Sequence, residues 1–206
     1  MGLDMSIRIK KKMKRGKGSS LETPLLRLYL NKDGDEIGYD IPDLKTKKFK
    51  YNYKKIKEAD HVEEVYELAY WRKANAIHKW FVDNVQAGED DCREYKLLKS
   101  DLEALHDVVC DVLNNISLKN GKISQSYTYK KFLWFRYKKH NKVKGKVVKN
   151  RKYAEKHLPT QEGFFFGSTD YDECYYNDLV YTKDVLEKIL EKYDVDSENI
   201  YYSSSW

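Results

Sequence analysis

The chain has 206 residues, of which 41% are hydrophobic, 35% charged and 14% aromatic. This length corresponds to one domain, and the aromatic content is sufficient to build a core, which argues against disorder along the whole chain. The sequence lacks the roughly 20 consecutive apolar residues of a membrane-spanning helix and an apolar secretory signal. Its three cysteines are scattered, so we expect a cytoplasmic protein that does not associate with membranes.

Charge segregation is the strongest physical feature of the sequence. The net charge of +6 combines basic segments at 1–18, 45–57 and 119–156 with acidic segments at 58–118 and 160–206 that each sum to −8. Segment 119–156 alone carries fourteen Lys or Arg residues against one Glu. If the basic segments converge in space they attract a polyanion, whereas the alternative interpretation is that each is an ordinary solvated surface.

The N-terminal part of the chain predicts β-strands. Apolar and polar residues alternate at 3–9, and strand-like segments at 25–30 and 36–41 flank the turn signal Asp33-Gly34, which predicts a hairpin. Segment 10–23 is basic and then rich in Gly and Ser, which is typical of a mobile loop.

A change of period then predicts helices. Aromatic residues at every second position of 49–53 indicate one more strand, but the apolar spacing from about residue 60 to residue 85 is that of a long helix. Gly88 offers a C-terminal stop for this helix. Ser100–Glu103 has the pattern of a capping box at the start of a second helix.

The C-terminal half predicts a third helix at about 171–193 and a closing strand at 200–206, which we expect to lie beside strand 3–9. Between them, 123–137 is rich in aromatics and fits either a strand or a helix, and 138–152 is either a β-ribbon or a disordered loop. The element order predicts a single domain over residues 1–206. Its class is α+β, with a mainly antiparallel sheet, about three helices and a basic aromatic insertion at 119–156.

Several motifs resemble a family of small proteins encoded by bacteriophages and prophages. The motifs are Met1–Met5, Tyr70–Phe81, Asp90-Asp91-Cys92, Leu158–Gln161, Gly163–Asp172 and Ile200–Trp206. The resemblance covers the first residues, roughly 65–115, and 157–206. It implies a phage accessory gene without an assigned reaction and transfers no catalytic residue. The basic insertion departs from the usual form of the family, so we expect it to carry a function of its own.

The first candidate site lies on the helix predicted from residue 60 to residue 85. Two neighbouring stripes of that helix would present a possible nucleotide pocket made of Trp71, Arg72, Asn75, His78 and Lys79. The cations would hold a phosphate and the indole would stack on a base. The alternative is that the cations pair with acids while the tryptophan is part of the core.

The segment 163–172 predicts a helix start rather than a nucleotide loop. Its three phenylalanines indicate a strand buried on both faces, Gly167 a tight turn, and Ser168 or Thr169 an N-cap. Helix N-termini attract anions, but no nucleotide-loop motif is present. Carboxylates here and at 89–91 are expected to be solvated rather than to bind a metal, and we expect no metal site, no cofactor and no catalytic residue.

The second candidate site is the basic insertion. Its aromatic residues interleave with cations, which neutralise phosphates while aromatic faces stack on unpaired bases. The residues predicted to bind nucleic acid are Lys130, Lys131, Trp134, Arg136, Lys138, Lys139, Lys142, Lys144 and Lys146, with Lys10, Lys11 and Lys12 as an auxiliary arm. The alternative is a structural hairpin whose aromatics pack on the rest of the protein.

These observations predict a non-catalytic phage binding protein that inhibits a host process. The sharpest hypothesis is anti-CRISPR activity: the protein engages nucleic acid, or a host ribonucleoprotein or nuclease complex, and blocks its normal substrate. One alternative is a small nuclease or nucleotide-processing enzyme that uses His78 with Asp90 or Asp170. The other is a sponge that sequesters a nucleotide signal near Arg72.

Overall fold

The computed structural model describes residues 2–13, 24–43, 45–46, 48–49 and 53–206, except for the side chains of 53, 56, 125–127, 132 and 138–140. The strands are β1 (Asp4–Lys12), β2 (Leu26–Leu30), β3 (Glu36–Asp40), β4 (His61–Arg72), β5 (Tyr95–Lys96), β6 (Ser117–Phe132), β7 (Phe135–Lys149) and β8 (Asn199–Ser205). The helices are α1 (Tyr53–Glu58), α2 (Asn75–Asn84), α3 (Lys99–Asn115), α4 (Arg151–His157) and α5 (Glu173–Lys192). In the described part of the chain, none of these helices combines the length and apolar character needed to cross a membrane.

The fold is α+β with antiparallel sheets, which confirms the predicted class. Six strands form one sheet in the order β3-β2-β4-β1-β8-β5, and each neighbouring pair is antiparallel. β1 and β8 are hydrogen-bonded neighbours, which confirms the prediction that the two terminal segments lie side by side. β2 and β3 form the hairpin predicted around Asp33-Gly34.

One face of this sheet carries the core. The strand register places Ile7 opposite both Ala69 and Tyr202, and cross-strand partners lie on the same face. All three side chains are buried. Helices α2, α3 and α5 cover this face, and the ring of Phe81 stacks on that of Tyr202 with their centroids 3.9 Å apart. Ile77 and Phe81 of α2 are fully buried.

The prediction of a helix from residue 60 to residue 85 is wrong for the first half of this segment. Residues His61–Arg72 form β4, and only Asn75–Asn84 are helical. β4 lies inside the sheet between β1 and β2, and residues 64–66 are all buried. The two-residue alternation by which a strand is identified is lost at 64–66, where both faces are buried. A one-residue irregularity at Leu68 then shifts the alternation of the rest of β4, so the apolar spacing imitates that of a helix.

Opposite charges on neighbouring strands favour a strand over a helix for residues 61–72. The register sets Arg8 opposite Glu67, and Arg27 opposite Glu64 with 2.8 Å between Nη2 and Oε1. Such pairs stabilise a sheet. Part of the charge segregation in the sequence is therefore resolved by pairing a basic strand with an acidic one.

The starts of two helices, α3 and α1, also differ from the prediction. α3 begins at Lys99 rather than Ser100, because the carboxylate of Asp101 accepts a hydrogen bond from the Leu98 N–H at 2.9 Å. Tyr53 begins the short helix α1 instead of continuing the strand predicted at 49–53, and residues 50–52 lie outside the described part of the chain.

The segment 163–172 is a loop rather than a buried strand. Phe164 and Phe165 are 77% and 53% exposed, whereas Phe166 is buried. α5 begins with Asp172 as its N-cap, instead of either of the predicted hydroxyl residues, and its carboxylate accepts hydrogen bonds from two backbone N–H groups of the first turn.

β6 and β7 form a separate two-stranded sheet, called here the hairpin (residues 117–149), and the rest of the chain is called the body. The strands have 16 and 15 residues and are joined by the turn Leu133-Trp134. The base of the hairpin is attached to the body: Val148 is buried and donates its N–H to the Tyr171 carbonyl at 2.9 Å.

The predicted insertion at 119–156 therefore divides into two parts. The hairpin accounts for most of it, and the β-ribbon alternative applies to the lysine-rich stretch. The end of the segment instead forms α4, whose Ala154 is fully buried in the core of the body.

Candidate functional site

The hairpin has an extreme charge. It contains eleven Lys or Arg residues and no Asp or Glu. The rest of the chain holds the other 28 of the 39 bases and all 33 acids, which leaves it with a balance of −5. The positive net charge of the protein therefore comes from the hairpin.

Strand register sorts these cations onto two faces, because residues directly opposite each other in an antiparallel pair share a face. One face, called here the lysine face, carries six exposed cations: Lys122, Lys131, Arg136, Lys142, Lys144 and Lys146. The other face carries three exposed lysines together with apolar side chains: Lys119, Lys130, Lys149, Ile123, Phe135, Tyr137, Val143 and Val147. The side chains of Lys138 and Lys139 lie outside the described part of the structure.

The turn of the hairpin is an apolar tip. Leu133, Trp134 and Phe135 are 66%, 78% and 65% exposed. The rings of Trp134 and Phe135 lie beside each other with centroids 6.1 Å apart. The alternative in which the aromatics of the insertion pack on the body does not hold for these residues.

The predicted auxiliary arm begins inside the sheet. Lys10, Lys11 and Lys12 belong to β1 rather than to a loop. The Nζ of Lys10 pairs with Glu94 at 2.5 Å and the Nζ of Lys11 lies 3.5 Å from Glu198, so acids of the body neutralise two of the three cations. Residues 14–23 lie outside the described part of the chain, and a role for this segment in nucleic-acid binding stays a prediction.

The structure separates the residues predicted to form a nucleotide pocket. Trp71 and Arg72 end β4, whereas the other three lie on α2. Trp71 is buried and donates its Nε1–H to the Thr182 hydroxyl at 2.9 Å. Lys79 pairs with Asp83 at 2.7 Å on the same helix. These two side chains are therefore occupied by contacts within the body.

Arg72 and Asn75 line a pocket of about 390 Å³ between the end of β4, the loop before α5 and the first turns of α5. Asp170, Asp172 and Asp178 line the same pocket. Burial, together with the charge of Asp172, raises the pKa of Asp178 to about 7. Three carboxyl groups beside one another oppose a phosphate, so the nucleotide-binding role of this region stays a prediction.

His78 is the centre of a buried polar network. Its Nδ1 lies 2.8 Å from the Tyr202 hydroxyl and its Nε2 lies 3.0 Å from Asp90, which also accepts a hydrogen bond from the indole of Trp206 at 3.0 Å. Burial lowers the pKa of His78, although Asp90 acts in the opposite direction. Because a carboxylate only accepts, Nε2 carries the proton and Nδ1 accepts from the tyrosine.

This network brings together the His78–Asp90 pair suggested for an enzyme, but the imidazole has no exposed surface and both of its nitrogens are engaged. Its position instead links α2 to the loop at 89–91 and to β8. The geometry is that of a structural contact between three segments.

The acidic loops are held by other groups. Arg93 pairs with Asp91 at 2.5 Å and with Glu89 at 3.0 Å, while Asp172 caps α5. Among the residues that the structure describes, no group of three or more His, Cys, Asp or Glu side chains is placed to hold a metal ion.

Two residues of these sites were not identified from the sequence. Asp178 lies three residues after Tyr175, at the edge of the buried stripe of α5, and this spacing was a usable signal of burial. Tyr202 is 124 residues from His78, and no local pattern connects the two.

Comparison of the chain with protein families, curated proteins and solved structures finds no match. The charge and geometry of the hairpin and the motifs of the sequence are therefore the features that point to a function. The resemblance to phage proteins stays a prediction.

Proposed function

We propose that this protein is a phage accessory protein that inhibits a bacterial defence system, such as a CRISPR nuclease, in the cytoplasm of the host. It does so by binding nucleic acid, or a nucleic-acid-binding complex, through the hairpin. The observation that carries the binding proposal is a ribbon with eleven cations and no acid that ends in an exposed apolar tip. The phage assignment rests on the sequence motifs alone.

Like charges face each other across the hairpin. The register sets Lys122 opposite Lys144, and Lys131 opposite Arg136. Like charges directly opposite each other destabilise a sheet. A bound polyanion relieves this repulsion, so the hairpin gains stability from the ligand that we propose, whereas a solvated surface with no ligand gains nothing from the same arrangement.

The composition of the hairpin indicates attraction to phosphates rather than recognition of base sequence. Ten of its eleven cations are lysines. Lysine is a point charge on a flexible stem, whereas the bidentate recognition of guanine is best made by arginine. Binding should therefore depend weakly on sequence and strongly on salt, and inhibition should result from occlusion of the normal substrate.

Direct binding tests this proposal. Single-stranded and double-stranded nucleic acids are titrated with the protein over a range of salt concentrations. The logarithm of affinity should fall linearly with the logarithm of salt concentration, by about 0.7 to 0.9 per neutralised phosphate. Replacement of Lys130, Lys131, Arg136, Lys138 and Lys139 by Gln should flatten the slope by up to about 4.

A matched variant controls for net charge. It replaces five exposed lysines of the body by Gln: Lys32, Lys54, Lys57, Lys96 and Lys188. This variant should keep most of the salt slope of the wild-type protein. Absence of binding at low salt, or equal effects of both variants, would remove the hairpin as the site of contact.

The inhibitory role is tested in the bacterial host. Tagged protein is recovered from host cells with and without nuclease treatment, and the recovered complex is assayed for cleavage of its normal substrate. We expect the wild-type protein to inhibit cleavage and the hairpin variant to lose inhibition. Full cleavage in the presence of bound wild-type protein would contradict the occlusion mechanism.

A further inference from the structure

The lysine face has the spacing of a phosphate backbone. Lys142, Lys144 and Lys146 follow one another at two-residue steps on β7, and all three are exposed on that face. The Nζ of Lys146, at the base of the row, also lies 3.0 Å from Glu173 of the body. Two residues of a strand span about 7 Å, which is comparable to the separation of successive phosphates along a nucleic-acid strand. Lys122 stands opposite Lys144 and widens the row to both strands.

The apolar groups are concentrated at one end of this row instead of being distributed along it. The tip formed by Leu133, Trp134 and Phe135 is separated from Lys144 by about ten residues, or roughly 34 Å, which is close to one helical turn of a duplex. Proteins that bind a single strand place aromatic faces along the path of successive bases. An apolar cluster at the end of a basic arm is instead typical of a wedge inserted at a base step.

The backbone of the tip supports a role for the tip residues. Leu133 has a φ of 55° at the first central position of the two-residue turn, where glycine is favoured. A bulky residue in this conformation strains the backbone. An apolar side chain is therefore kept at a position where a glycine would make a more stable hairpin.

We propose that the hairpin binds double-stranded nucleic acid, with the lysine face along the phosphates of one strand and the tip inserted between adjacent base pairs. This inference rests on the proposed function and names its substrate class. The opposite face of the hairpin, whose three described lysines are dispersed among apolar side chains, takes little part in phosphate contact.

Two charge-matched variants test the orientation. Lys122, Lys142 and Lys144 are replaced by Gln in one, and Lys119, Lys130 and Lys149 in the other. With a 30-base-pair duplex, prepared both as DNA and as RNA, the first variant should flatten the salt slope by about 2 to 3, and the second by less than about 1. Equal slopes for the two variants overturn the inference and leave the proposed function intact. Absence of binding by the wild-type protein overturns both.

The wedge is tested with Trp134→Ala, and Phe164→Ala on the body is the control for loss of an exposed ring. The probes are the 30-base-pair duplex, the same duplex with a two-nucleotide bulge, and the single strand, with dyes on the duplex ends to report bending. The wild-type protein should bind the bulged duplex most tightly and should shorten the distance between the duplex ends, because a bulge lowers the cost of unstacking.

Trp134→Ala should remove the preference for the bulge and weaken binding by roughly 5- to 150-fold. Phe164→Ala should change neither. Tighter binding of the single strand than of both duplexes, or a bulge preference that persists in Trp134→Ala, overturns the wedge. The comparison of the DNA and RNA duplexes identifies which nucleic acid is the better ligand.

Discussion

The body and the hairpin use the same residue types in opposite ways. In the body, cations face acids, as Arg27 faces Glu64 across two strands. In the hairpin, cations face cations, as Lys131 faces Arg136. Aromatic residues show a weaker contrast: Phe81 and Tyr202 stack in the core of the body and Trp134 of the hairpin is 78% exposed, but Phe164 of the body is 77% exposed as well.

This contrast separates groups that serve the fold from groups that remain available to a ligand. Charges paired inside the protein contribute to register and stability. Repelling charges and exposed rings reduce the stability of the isolated protein, and they persist in a folded chain without a structural benefit. The hairpin, rather than the polar network around His78, is therefore the stronger candidate for function.

Removal of the C-terminal strand should destabilise the body more than any other change considered. Deletion of residues 200–206 removes β8, which lies between β1 and β5 and buries Ile200 and Tyr202. The truncated protein should lose its cooperative thermal unfolding transition, measured by circular dichroism. An unchanged melting temperature would show that the body does not depend on its C-terminal strand.

The next effect concerns the core side of α2. Ile77→Ala removes a fully buried side chain and should lower the free energy of unfolding by roughly 2 to 5 kcal/mol in urea titrations. Val180→Ala, on the exposed side of α5, is the control and should cost less than about half a kcal/mol. A loss below half a kcal/mol for Ile77→Ala would contradict the packing described for the body.

The third effect depends on pH. The pKa of Asp178 is raised from 3.8 to about 7 in the folded protein. Between these values the folded state holds a proton that the unfolded state lacks, so this group makes stability fall as the pH rises from about 4 to 7. Asp178→Asn abolishes this loss and should be more stable than the wild-type protein at pH 8 by up to about 4 kcal/mol.

At pH 4 the gain from Asp178→Asn should disappear, because the wild-type carboxyl is then protonated in the folded state. Unfolding titrations of both proteins at the two pH values measure this difference. Asp184→Asn, an exposed position of the same helix, should show no such dependence. Equal shifts at both pH values for Asp178→Asn would contradict a buried carboxyl.

The smallest effect on stability is expected from the hairpin. Residues 122–144 are replaced by Asn-Gly, which joins the facing pair Gly121 and Gly145 by a two-residue turn. The free energy of unfolding of the body should change by about 1 kcal/mol or less, since the replaced residues lie beyond the buried base of the hairpin. Nucleic-acid binding should be lost.

The salt dependence of stability tests the repulsion within the hairpin. Screening weakens repulsion between exposed charges, so added salt should stabilise the wild-type protein more than the shortened one. Differential scanning calorimetry at low and high salt measures the difference. A large fall in melting temperature on shortening would show that the hairpin supports the body.

Elements with a clear local pattern were predicted correctly. β1 and β8 show alternation with one face buried, and α5 has a continuous apolar stripe. The prediction failed at β4 and at Phe164–Phe166. β4 is buried on both faces only at 64–66, and its alternation is shifted at Leu68. The exposed phenylalanines look the same in the sequence as buried ones.

The candidate site was predicted in composition but not in arrangement. The excess of lysine in the hairpin is visible in the sequence. The lysine face is not visible in the sequence, because a one-residue irregularity between Ser124 and Ser126 shifts the alternation of β6. Only the register of the two strands reveals which residues then share a face.

Local sequence patterns are enough to predict the segregation of charge, the terminal strands and the helices with a continuous apolar stripe, since each depends on residues close together in the chain. Which polar and charged side chains pair with one another depends instead on how distant segments pack. Lys10 and Glu94 are 84 residues apart, and His78 and Tyr202 are 124 residues apart. No local period encodes such contacts, because they form only when distant segments pack against one another. The hairpin itself contains no acid, and its Lys146 pairs with Glu173 of the body at 3.0 Å.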